Sequence, residues 1–225
     1  MNEALLPCVD VEAPGTHRAT VIWLHGLGAD GNDFVPAVPY LGLPEDHGFR
    51  FVFPTATPIP VTINAGMVMP AWYDIRHMDL EASDRNDSEG LATSVERVRA
   101  LVAREIERGT PAESIVMAGF SQGGAVAIEL ALTHSERLAG LIALSTYVVD
   151  PARIEANQTE ANGDVPILQC HGLFDPMVPL RSGEAARDFL QGLGHEPTWC
   201  TYPIEHEVSP RELAQIGNFL TRCVD

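Results

Sequence analysis

The sequence predicts an α/β fold, a mainly parallel sheet covered by helices on both faces. Two observations carry this reading. Apolar runs of four to eight residues, too short for helices, alternate with longer helix-forming segments along most of the chain. That alternation is the pattern of βα units, which place helices on both sides of a sheet. The 225 residues contain no repeat, linker or charge block, so residues 1–225 read as one domain large enough to bury a substantial core.

The elements follow in order. Residues 20–24 (Thr-Val-Ile-Trp-Leu) form the first clear strand and run into the glycine-rich stretch His25-Gly26-Leu27-Gly28-Ala29-Asp30-Gly31. Residues 50–54 form the second. The connection from 55 to 87 is long and too apolar for a disordered segment, so it reads as an apolar flap that lines a pocket or covers the sheet edge. A polar turn at 84–88 leads to Ser88 as helix N-cap, and the helix then places Leu91, Val95, Val98, Val102 and Ile106 on one face before stopping at Gly109. Further strands are expected at 115–118, 138–145, 165–170 and 198–203. Ser209, Pro210 and Glu212 open the last helix with a capping box and proline at its first position.

Gly119-Phe120-Ser121-Gln122-Gly123 lies between an apolar strand and an Ala/Ile/Leu helix, the context of a nucleophile elbow. The glycines answer a steric need, because such a turn strains the serine backbone and brings its flanks close together. A helix starting beside Ser121 directs its positive end at the reaction centre and leaves the Gln122 amide free for a developing oxyanion.

Gly26, Gly28 and Gly31 spell G-x-G-x-x-G after a strand, the mark of a dinucleotide site. That reading requires an acidic residue at the end of the next strand, and here the strand ends in Pro54-Thr55. The better role for the loop is to supply a second oxyanion donor, the Leu27 amide, with His25 bracing the loop.

A serine nucleophile needs a general base and an acid, placed after later strands at the carboxyl edge of the sheet in the order Ser, acid, His. Asp175 follows the strand ending at Cys170, and His206 follows the strand ending at Tyr202. Asp150 is more distant from its strand, Asp164 and His195 precede theirs, His134 ends the elbow helix, and His171 shares a loop with Asp175. Ser121, Asp175 and His206 are therefore the expected catalytic residues of an α/β-hydrolase. Met69 and Trp72 of the flap and Met177 and Val178 beside Asp175 are the candidate substrate contacts.

Composition bounds the alternatives. Fourteen basic residues, all arginine, stand against 31 Asp+Glu for a net charge of −17, which disfavours nucleic acid and anionic membranes as partners. The amino-terminal residues show neither a basic n-region nor an apolar core, and Cys8, Cys170, Cys200 and Cys223 are widely spread, so a cytoplasmic protein with reduced buried thiols is expected. No metal-ligand motif or cofactor fingerprint stands in the sequence, so no cofactor is expected.

Taken together, Leu24-His25-Gly26-Leu27-Gly28-Ala29-Asp30-Gly31, Pro70-Ala71-Trp72-Tyr73-Asp74, Gly119-Phe120-Ser121-Gln122-Gly123-Gly124, His171-Gly172 with Asp175, and His206 resemble the bacterial carboxylesterase and acyl-protein thioesterase family, also called the phospholipase/carboxylesterase family. The resemblance spans nearly the whole chain. It implies a cytoplasmic serine hydrolase with Ser121, Asp175 and His206 as triad, Leu27 and Gln122 as oxyanion donors, and short- to medium-chain esters or thioesters as substrates. Two positions depart from the family pattern: Ala65 where the flap commonly reads Asn-Gly-Gly, and Glu205 where a glycine often precedes the histidine. A lysophospholipase, and a non-catalytic module that binds a small apolar ligand, are the alternatives. A monomer and a homodimer are equally compatible with the sequence.

Overall fold

A computed structural model describes residues 5–77 and 85–224. The central sheet has seven strands: β1 (Cys8–Val11), β2 (Ala19–Leu24), β3 (Phe49–Pro54), β6 (Ile115–Phe120), β7 (Gly140–Leu144), β8 (Ile167–Gly172) and β9 (Thr198–Tyr202). Their spatial order is β1-β3-β2-β6-β7-β8-β9. All neighbours pair in parallel except β1, which runs antiparallel to β3. The remaining strands, β4 (Pro58–Val61) and β5 (Met67–Pro70), form a separate hairpin.

Parallel strands need crossovers, and the helices supply them. These are α1 (Ser88–Glu107), α2 (Gln122–Thr133), α3 (Pro151–Asn157), α4 (Leu180–Gly192) and α5 (Pro210–Val224). The strands are buried on both faces, and successive residues feed two cores. Ile22, Leu24, Ile115, Met117 and Leu141 pack under α1 and α2, whereas Val21, Trp23, Val116, Ala118 and Ile142 pack under α5 through Leu213, Ile216, Phe219 and Leu220. This two-sided burial is why the runs read as continuous apolar stretches.

The buried face of α1 carries Leu91, Val95, Val98 and Val102, with Ile106 partly buried, as its spacing predicts. Its N-cap is Asp87, one residue before Ser88, and Gly109 takes a φ of 99° just beyond the last turn. The capping box at α5 is reciprocal: the Glu212 amide donates to Ser209 Oγ (3.2 Å) and the Ser209 amide to Glu212 Oε2 (3.3 Å). Within α1, Glu105 is fully buried and accepts from Arg50, Arg104 and Arg108, which also bind Asp10 and Glu12 of the β1 region. The arginines here thus clamp the edge strand to the sheet.

Three features differ from the sequence reading. The edge strand β1 precedes the strand read as first, part of the flap is the β4–β5 hairpin, and the short helix α3 follows Asp150, its N-cap, whose side chain accepts from the Arg153 amide. The four cysteines are free, and against the expectation of buried thiols only Cys170 is buried, the other three being partly exposed. The flap residues 78–83 and Asp84 of the polar turn lie outside the described residues.

Candidate active site

The centre of the site is the turn between β6 and α2. Ser121 holds φ 54° and ψ −119°, a conformation open to few L-residues, and its amide donates to Leu144 O (2.8 Å) while its carbonyl accepts from Thr146 Oγ1 (2.6 Å). The flanking glycines are required by contact. A Cβ on Gly119 would enter the Gly123 carbonyl, and one on Gly123 would enter the His25 carbonyl and the Leu24 side chain. The helix α2 therefore starts tight against β2 and β6, with the Ser121 hydroxyl at its positive end.

His206 and Asp175 reach that hydroxyl from loops after β9 and β8. Nε2 of His206 lies 2.9 Å from Ser121 Oγ, and Nδ1 lies 2.6 Å from Asp175 Oδ2. The two loops are laced together, since the Leu173 amide donates to Tyr202 O and the Phe174 amide to Ile204 O. Gly172 lies under the Glu205 carbonyl, where a Cβ would not fit. The Glu205 side chain itself is exposed. The Phe120 ring packs on the His206 ring, centroids 4.6 Å apart.

The other oxygen of Asp175 accepts from the Met177 (2.9 Å) and Val178 (2.8 Å) amides. Burial pushes this carboxyl up, but the bond to His206 and the two amides outweigh it and hold it below the ordinary aspartate value. It is therefore ionised at neutral pH and fixes the imidazole with Nδ1–H toward it and Nε2 free to accept from Ser121. The competing acids and histidines stay outside this line. Asp150 caps α3, Asp164 pairs with Arg137, and the buried His171 directs Nε2 at the Val178 carbonyl (2.8 Å).

Leu27 and Gln122 line one cavity with Ser121 and His206. Gln122 opens α2, so its amide has no intrahelical acceptor. The loop that presents Leu27 is fixed on both sides, with Gly28 N–H donating to Pro70 O (2.9 Å) and Ala29 N–H to Gly26 O. Among the described residues the Leu27 amide has no backbone acceptor. His25 braces this loop: Nε2 accepts from the Ala56 amide (3.0 Å), so Nδ1 carries the proton and donates to Gly26 O (2.6 Å). Burial lowers its pKa, consistent with a neutral ring.

The cavity at Ser121 is about 410 Å³, within the ~300–1,000 Å³ range of small-molecule sites. Met177 and Val178 line it as expected, whereas Met69 and Trp72 do not. Trp72 is only 2% exposed. Its indole N–H donates to His25 O (2.8 Å), its amide to Gln122 Oε1 (2.8 Å), and its carbonyl accepts from Ser94. It is a strut beneath the site, and with Gln122 Nε2 on Tyr73 O (2.7 Å) it ties the flap to the elbow helix. Met69 faces Asn64, whose Nδ2 lies 3.3 Å from its sulfur.

The flap walls are instead Ile63, Asn64 and Ile75, joined by Arg85 and, after β7, Tyr147. Nothing in their local spacing marks them; only the hairpin and the β7 terminus bring them together. Beside them Ala65 holds a left-handed φ of 57°, a conformation suited to glycine, at a position that departs from the family pattern.

A hydroxyl, imidazole and carboxylate in line at the amino end of a helix can drive acyl transfer. The whole chain agrees with that geometry. The family model described as Phospholipase/Carboxylesterase matches residues 7–224. The chain belongs to the phospholipase/carboxylesterase family. It is 41% identical over 223 residues to acyl-protein thioesterase 1 of Cryptococcus neoformans, covering 92% of this chain and 93% of that protein. With acyl-protein thioesterase 1 of Neurospora crassa it shares 40% over 222 residues, 96% of this chain and 91% of the relative. The crystal structure of Arabidopsis thaliana SOBER1 superposes with a TM-score of 0.86 at 32% identity, covering 92% of this chain and all of that one. As a phospholipase/carboxylesterase family member the chain is a serine hydrolase of the α/β-hydrolase fold. Among the described residues no helix is long and apolar enough to cross a membrane.

Proposed function

We propose that this serine hydrolase cleaves short- to medium-chain carboxylic esters, and thioesters of similar size, through an acyl-enzyme on Ser121. The observation that carries the assignment of roles is the unbroken line from Ser121 Oγ through His206 to Asp175, at 2.9 and 2.6 Å, beside the amino end of α2. His206 Nε2 takes the hydroxyl proton as Ser121 attacks the acyl carbon. Asp175 stabilises the resulting imidazolium, and the Leu27 and Gln122 amides hold the tetrahedral oxyanion. The imidazolium then protonates the leaving alkoxide or thiolate as its bond to the acyl carbon breaks. Water, deprotonated by the same imidazole, attacks the ester of Ser121, and the carboxylic acid leaves as the serine regains its proton.

Acyl-protein thioesterase activity is the second reading, favoured by the names of the two fungal relatives and by Met177, an exposed apolar side chain in the cavity wall. The acidic composition disfavours nucleic acid as a partner, the dispersed cysteines fit a cytoplasmic protein, and the oligomeric state is monomer or homodimer.

The deciding measurement is hydrolysis of p-nitrophenyl esters from acetate through laurate by wild type and Ser121→Ala, with intact-mass detection of a fluorophosphonate adduct. Turnover and adduct on wild type, both lost in the variant, are expected. A folded wild type with neither would overturn the esterase reading and favour a binding module.

A further inference from the structure

The concavity does not end at Ser121. A second cavity of about 580 Å³ adjoins the first, the two sharing Arg85, Tyr147, Met177 and Val178 as common wall. Its floor is apolar, with Val148 and Val149 after β7 facing Phe189 of α4. Its charged groups are Arg85 and Arg181, and among the described residues no carboxylate lines it. In a chain with 31 acidic and 14 basic residues, that runs against the prevailing charge.

Other arginines here are committed to carboxylates: Arg50, Arg104 and Arg108 to Glu105, Arg137 to Asp164, Arg153 to Glu129. Arg181, exposed at the rim, has no hydrogen-bond or ion-pair partner among the described residues. Arg85 lies over the Tyr147 ring (5.2 Å) and gives one nitrogen to Asn86 Oδ1. Its buried Nε has no acceptor. A guanidinium stacked on a ring keeps its planar fork in place, and an unsatisfied donor in a partly desolvated wall favours an incoming anion.

We propose that this second cavity is a carboxylate subsite, in which Arg85 and Arg181 hold an anionic end of the substrate that extends past Tyr147 from the reacting carbonyl. The inference rests on the esterase reading of the Ser121 cavity and adds its substrate class: esters or thioesters carrying a free carboxylate some distance from the scissile bond. Arg–carboxylate pairs are charge-assisted and directional, and the apolar floor strengthens them.

Two substrate arms locate the carboxylate. The first compares p-nitrophenyl monoesters of adipic to sebacic acid with their terminal carboxamides; the second compares acetate esters of a carboxylated phenol and of its carboxamide. We expect kcat/KM to favour the anion about tenfold in one arm at low salt and to lose that preference as salt screens the rim. Arg85→Gln and Arg181→Gln should each cut the ratio, and Arg181→Lys should restore part of it. Because each ratio is taken within one variant, general damage cancels. Wild type that turns over p-nitrophenyl acetate yet prefers the neutral substrate in both arms, or a preference untouched by both arginine substitutions, overturns the proposal. Calorimetric binding of suberic acid monoamide to Ser121→Ala tests the subsite without turnover: binding weakened by Arg181→Gln supports it, and no binding overturns it even where the esterase reading has already failed.

Discussion

At the scale of single residues, a buried carboxylate on α5 lacks a partner for one of its oxygens. Glu212, 1% exposed, meets the Ser209 amide with one oxygen, and its Oε1 has no partner. Burial pushes its pKa up to about 7, against a smaller lowering by the Ser209 amide. The folded state therefore holds this proton more tightly than the unfolded chain, whose ordinary value is 4.5. A raised folded pKa contributes stability that is complete below about 4.5, erodes as pH rises and is lost above about 7. Glu212→Gln keeps the acceptor for Ser209 and removes the titration. It should match wild type at pH 5 and exceed it by about 2 kcal/mol at pH 8, read from urea unfolding at both values. Equal differences at the two values would mean that packing, and not ionisation, sets the cost.

At the scale of elements, the junction of β2, β6 and α2 has no slack. Gly123→Ala would drive a methyl into the His25 carbonyl and Leu24, so α2 must lift from the sheet and carry the Gln122 amide with it. We expect a loss of about 2–4 kcal/mol in unfolding free energy together with a large fall in kcat, checked by denaturant titration and by p-nitrophenyl butyrate turnover. This junction was legible in the sequence because its constraint is local: glycines at fixed offsets between a strand and a helix. The parallel strands were legible for a similar reason, being apolar on both faces. The edge strand β1 was not, because four residues of mixed exposure carry no usable period. The hairpin was hidden by Pro58, Pro60 and Pro70, which read as loop but sit in a ribbon that is two-stranded among the described residues. Trp72 was placed on the wrong side of the flap because an aromatic residue in an apolar segment looks the same whether it faces ligand or core. What decides it is a pair of contacts 47 and 50 residues away in the chain, with His25 and Gln122.

At the scale of the whole molecule, a formal charge of −17 is spread over a surface with no lysine. Self-repulsion at low ionic strength opposes the compact state, whereas the clamp of Arg50, Arg104 and Arg108 around Glu105 is buried enough to resist screening. The melting temperature should rise by a few degrees between about 0.02 and 0.5 M NaCl, measured by calorimetry at pH 7.5. A fall over that range would mean that the exposed ion pairs outweigh the repulsion.

The order of the sheet also bears on how the enzyme fails. Ser121 follows β6, paired on both sides, but His206 follows β9, the end strand opposite β1 among the described residues, whose inner neighbour β8 leads to Asp175. Fraying of that margin withdraws the base from the hydroxyl while the middle strands remain intact. On the proposed mechanism, heat silences turnover before it melts the secondary structure, and the silent form can recover its activity on cooling, because the elbow that re-engages the histidine has never come apart.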